Sequence, residues 1–174
     1  MPSFRPSYAN LARMVGATLV LAAVLVALAA TAAAKQTPVL TKISAGLDDS
    51  GHLTVSFRGA GLAPNTDTDY ALVSGATSFV TYACIGPSGG SGGRFIPNAA
   101  TATGAFNSGQ DGKVKGASLT LDPPPPNISC TEGQELFLAH VVYQDVVLTD
   151  TTNNVSVNVG NFSTCLVPNP NFCQ

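Results

Sequence analysis

From Lys35 onward the chain alternates apolar and polar residues almost without interruption, and helical periodicity is nearly absent. That pattern constrains the fold more than anything else, because a period of two buries one face of a strand and exposes the other. In "HLTVSFR", His52 to Arg58, Leu53, Val55 and Phe57 point one way, and His52, Thr54, Ser56 and Arg58 point the other. "NNVSVNVGNF" sets Val155, Val157 and Val159 inward, with Ser156 and Asn158 outward. Further short strands are expected at Val39 to Ser44, Tyr70 to Ser74, Ser78 to Ile85, Ala102 to Phe106, Val114 to Leu121 and Val146 to Thr149. Glu135 to Tyr143, "ELFLAHVVY", is apolar on both faces, as a covered central strand is. By strict alternation Leu136, Leu138, His140 and Val142 share one face, and Phe137, Ala139, Val141 and Tyr143 the other. About eight short strands separated by turn signals predict an all-β fold, an antiparallel immunoglobulin-like sandwich over residues 35–164.

The N-terminus is of another kind. Arg5 and Arg13 precede an uncharged run, Met14 to Ala34, which ends in Ala32-Ala33-Ala34 before Lys35. A basic head, an apolar middle and small residues at the exit describe a secretory signal peptide over residues 1–34, an apolar helix removed on export. The alternative is a retained anchor, Met14 to Ala34, since about 20 uncharged residues can span a bilayer. Secretion is the expected localisation, with contact to a membrane only if that segment stays.

After export, Lys35, Lys42, Arg58, Arg94, Lys113 and Lys115 face ten acidic residues. The bases are scattered, so no nucleic-acid surface is expected. The four cysteines, Cys84, Cys130, Cys165 and Cys173, all follow Lys35. An even number in an exported chain predicts two disulfides, and the absence of Cys-x-x-Cys argues against zinc. Of three pairings, Cys84 with Cys130 and Cys165 with Cys173 is expected. The first ties two strand ends together. The second closes "CLVPNPNFC", whose prolines and asparagines turn readily, into an independent C-terminal tail over residues 165–174.

Candidate chemistry is thin. "CIGPSGGSGGRF", Cys84 to Phe95, is glycine-rich, yet Pro97 follows Arg94 too soon for the helix that a phosphate loop needs. It is expected to be a slack connection that tolerates deletion of Gly89 to Gly92, with Arg94 at most meeting an anion. The prolines of "DPPPPN", Asp122 to Asn127, predict an extended loop. His140 is expected to be a partly buried histidine; a hydrolase would need it beside a serine and an aspartate in an open pocket. "GPSGG" is not a nucleophile elbow. Asp67 and Asp69 lie on one side of an extended segment, with Asn65 near, and are weak calcium candidates beside their ordinary role in turns. There is no tryptophan, and the tyrosines and phenylalanines are mostly read as core, so a sugar cleft lacks its platforms. Asn127, Asn154 and Asn161 match the glycosylation pattern, which matters in a eukaryotic host. No cofactor is expected.

Several stretches bear a family likeness: "VSFRGAGLAPNTDTDYAL", "YAC", "FNSGQDGKVKGASLTLDPPPP", "SCTEGQEL" and "VVYQDVVLTDTTNNVS". In order and spacing they resemble a group of small uncharacterised secreted proteins, found mainly in actinomycetes and other bacteria, with some fungal members. "GAGLAPNT" also looks like the early hairpin of bacterial immunoglobulin-like modules. The resemblance implies an exported β-sandwich and no particular activity. The tail "STCLVPNPNFCQ" departs from the group by its added cysteine pair. The expected function is therefore an exported, non-catalytic module that binds an extracellular protein or glycan. The alternatives are a small hydrolase built on His140 and a structural component of the cell envelope or matrix.

Overall fold

The computed structural model describes residues 36–87, 89–167 and 170–173. The expected signal helix, the alternative anchor and the expected cleavage before Lys35 lie outside the described residues. Nine antiparallel strands form two sheets among the described residues. The three-stranded sheet has the order β1-β2-β7, made of Val39–Leu47, Leu53–Ala60 and Val114–Leu121. The second sheet holds β3 (Asp67–Val73), β4 (Phe79–Gly86), β5 (Gly89–Pro97), β6 (Thr101–Asn107), β8 (Glu135–Asp150) and β9 (Val155–Cys165). Its order is β5-β4-β8-β3-β6, and β9 also pairs with β8.

Alternation does what it promised on β2: Leu53, Val55 and Phe57 are at most 1% exposed. They meet Tyr70, Leu72, Val80, Val141 and Leu148 of the other sheet in one core. Phe57 packs on Tyr70 at 4.8 Å and edge-on to Phe106 at 5.7 Å, so three rings interlock between the sheets. The Tyr143 hydroxyl crosses the same gap, donating to Gly51 O at 3.1 Å and to Leu121 O at 3.3 Å. The Tyr82 hydroxyl donates to Pro124 O at 2.6 Å and so anchors the proline loop.

The two strands expected at Glu135 to Tyr143 and Val146 to Thr149 are one strand of 16 residues, β8. It is bent, not broken. At the bend Asp145 takes a φ of 48°, and its N–H donates to Asn161 Oδ1 at 2.7 Å. The Ser78 hydroxyl accepts from Gln144 N at 2.9 Å, and the Gly75 N–H donates to Gln144 O at 2.6 Å. These bonds satisfy the Gln144 backbone and the Asp145 N–H where the ladder is interrupted, as a bend in a strand requires. One edge of β8 therefore carries β4 along its first half and β3 along its second, while β9 follows the other edge.

A second irregularity corrects the expected faces. Against β4 the register slips between Thr81 and Tyr82, which oppose His140 and Leu138, so Ala139 is the extra residue. A bulge of this kind turns two successive side chains to one side. Leu136 and Leu138 pack on the main core, and Val141 and Tyr143 belong to it, whereas Ala139 joins a separate cluster outside. His140 and Val142 thus lie opposite to Leu136 and Leu138, not in phase with them.

The glycine-rich stretch is not slack. Gly89–Pro97 is the edge strand β5, paired with β4 from Phe79↔Pro97 to Gly86↔Gly89. Nor is the C-terminal tail independent. Disulfides join Cys84 to Cys130 and Cys165 to Cys173, with Cα–Cα distances of 5.5 and 5.6 Å. The tail then lies against the outer face of the larger sheet, where Val167 and Phe172 pack with Ala83 and Ala139.

Candidate functional site

Phe79, Thr81 and Ala83 project from β4 on the side away from the core, since Val80 and Tyr82 project into it. Residues that oppose one another across a ladder share a face. The rows Val142–Phe79–Pro97, His140–Thr81–Phe95 and Phe137–Ala83–Gly93 therefore lie together on the outer surface of β8, β4 and β5. Phe95 is 56% exposed, and its ring lies 4.6 Å from that of Phe79. Phe137 is 39% exposed. An apolar surface of this kind at a sheet edge is what a contact surface offers.

His140 sits at the margin of this surface and is 7% exposed. Phe79 meets its ring edge-on at 5.5 Å, and Nε2 lies 2.9 Å from Ser163 Oγ of β9. Burial lowers its pKa below the usual 6.5, so the ring is neutral near pH 7. Nδ1 is buried with no hydrogen-bond partner. A buried orphan N–H is costlier than a bare acceptor, which puts the proton on Nε2, donating to Ser163. In that tautomer Nε2 is not free to take the serine's proton. The structure brings Ser163 to the histidine, but among the described residues no carboxylate hydrogen-bonds Nδ1 to orient the ring as in a triad.

Asp67 and Asp69 do share the outer side of β3, but Asp67 Oδ1 accepts from Asn107 Nδ2 at 2.9 Å. No cluster of three or more acidic, histidine or cysteine side chains that could hold a metal exists among the described residues. Asn127, Asn154 and Asn161 are exposed, and Asn161 also accepts from the β8 bend through Oδ1. Arg94 is exposed beside Phe95. Two open clefts lie elsewhere. One, of 460 Å³, follows the β6–β7 turn, where Lys115 pairs with Asp111 at 2.7 Å; the other, of 340 Å³, is bordered by Asp69 and Thr103.

Reading the phenylalanines as core missed Phe95 and Phe137. A signal was present for Phe95: it stands in "GGRFIP", among glycine, arginine and proline rather than in an alternating apolar run. No family model, curated protein or solved structure matches this chain.

Proposed function

We propose that this protein is an exported, non-catalytic immunoglobulin-like module that binds an apolar face of an extracellular protein or glycan through the outer surface of β4, β5 and β8. The observation that carries this reading is the stacked pair Phe79–Phe95, with Phe95 more than half exposed. Aromatic rings held at a surface by a rigid sheet lose little freedom on binding, and such anchors dominate contact energies. The immunoglobulin-like label is supported by the strand order. The first, second and seventh strands make one sheet, and the long eighth strand lies between the third and the ninth in the other, as in the two sheets of that architecture. Export is supported by the basic-then-apolar N-terminal segment and by two disulfides, which are compatible with an oxidising, extracellular setting.

The test is capture from native culture fluid and cell-wall material on immobilised mature domain, with Phe95→Ser alongside. The variant should keep the melting temperature within about 2 °C, because an exposed ring contributes little to the core. It should lose its ligand by about tenfold or more, as expected for an aromatic anchor. Equal capture by both proteins would move the contact surface elsewhere. N-terminal sequencing of the secreted protein should begin within a few residues of Lys35; an intact Met1 on membranes would favour the anchor.

A further inference from the structure

We propose that the outer face of the larger sheet contains a receptor site for one aromatic side chain, that Phe172 plugs it, and that opening the Cys165–Cys173 disulfide releases it to an aromatic residue of a partner polypeptide. The site is built by omitting bulk. A Cβ on Gly90 would stand 2.6 Å from the Phe172 ring, and one on Gly93 would stand 3.2 Å from it. Ala83 and Ala139, both fully buried, complete the seat, and Val167 packs beside them. Four positions without side-chain volume beyond a methyl group leave a slot the width of a flat ring, and Phe172, 8% exposed, fills it. The occupant identifies the chemistry of the ligand: an aromatic ring carried on a short helical turn, Pro170–Phe172. The slot is continuous with the surface already described, since Phe137, Ala83 and Gly93 form one cross-strand row and Phe95 lies two residues beyond Gly93. A partner that inserted a ring there would meet exposed phenylalanine on both sides.

The plug is tied at the surface. Cys165 is exposed and Cys173 half-buried, whereas in the other bridge Cys84 is 8% exposed and Cys130 half-buried. Cys165 is thus the most exposed of the four cysteines, and a dithiol reductant is expected to open its bridge first. One of its thiolates attacks Sγ of Cys165, Cys173 leaves as a thiolate and takes up a proton, and the second thiol closes the reductant into its own disulfide, returning Cys165 as a thiol. Two electrons and two protons pass to the protein. Closing so short a ring favours the seated tail over the released one by roughly 70-fold on chain entropy alone. That advantage disappears on reduction, and the site's apparent affinity for an outside ring rises by up to the same factor.

The mature chain is titrated with a labelled synthetic peptide of residues 166–172, at a dithiol concentration that peptide mapping shows to leave Cys84–Cys130 closed. Oxidised protein should bind the peptide at least about tenfold more weakly than the partly reduced protein. Oxidised Phe172→Ala should bind it without reductant, and Gly90→Val, whose side chain fills the slot, should bind it in neither state. The proposal is overturned if folded Phe172→Ala excludes the peptide, or if opening the bridge leaves the peptide affinity of the unaltered chain unchanged. Neither readout involves a natural partner of Phe95, so the two readings stand or fall separately.

Discussion

At the scale of single residues, the position of His140 has a consequence in solution. It is neutral and buried in the folded chain, with its pKa lowered by burial, whereas the unfolded chain titrates near the usual 6.5. Below that value the unfolded state binds the extra proton, so stability is complete above about pH 6.5 and falls as the pH is lowered through that region. Asp48 behaves differently. Its carboxylate accepts from the backbone N–H groups of His52 and Ser50, each at 2.9 Å, and those bonds hold its pKa below 3.8. Its contribution is lost only at more acid pH, below about 3.8. The melting temperature should accordingly decline from pH 7 to pH 5, and His140→Gln should flatten that decline while leaving the one below pH 4. A parallel slope in the variant would place the titrating group elsewhere.

At the scale of elements, β5 overturns the expectation that glycine-rich sequence is connective. Its glycines are tolerated because β4 supplies the ladder and Phe172 covers the face that they leave bare. Deleting Gly89 to Gly92 should therefore remove three of the eight β4–β5 residue pairs and, with Gly90, part of the seat of Phe172. We expect the melting temperature to fall by about 10 °C or more, the scale set by losing one buried aromatic from a domain of this size. A change under about 3 °C would restore the slack connection. The long strand β8 makes the same point from the other side. Its apolar run announced a central strand, but the bend at Asp145 is held by hydrogen bonds to Asn161, Ser78 and Gly75, and at the bulge Ala139 O accepts from Leu166 N of the tail, all from other parts of the chain.

At the scale of the whole molecule, the two disulfides carry unequal weight. Cys84–Cys130 bridges a sequence separation of 46 and joins β4 to the segment entering β8. Chain entropy gives about 4 kcal/mol for that closure and about 2.5 kcal/mol for Cys165–Cys173. Replacing Cys84 and Cys130 by alanine should lower the urea unfolding midpoint well beyond the shift from replacing Cys165 and Cys173. The second pair should instead show up as faster hydrogen exchange at Val167 and Phe172. Similar midpoints for the two double variants would mean that the tail contributes to the body of the fold as much as the longer bridge does.

The sequence by itself determined that this chain is all-β, which face of β2 is buried, and which cysteines pair. Those features are local: alternation is read within one strand, and a turn-rich nine-residue ring closes on itself. Only the tertiary structure decided the role of the glycines, the face of His140 and the fate of the phenylalanines. Gly90 is required by the ring of Phe172 far along the chain, and Gly93 by Thr81 of the neighbouring strand as well as by that ring. His140 changed sides because one unpaired residue, Ala139, shifts the side chains that follow it by a face as far as the bend at Asp145. Phe57 and Phe95 have the same hydrophobicity, and what separates them is that a second sheet covers one, whereas the other has Phe79 of its own sheet against its ring and stays 56% exposed. Burial depends on what arrives from elsewhere in the chain, and no window of sequence contains that.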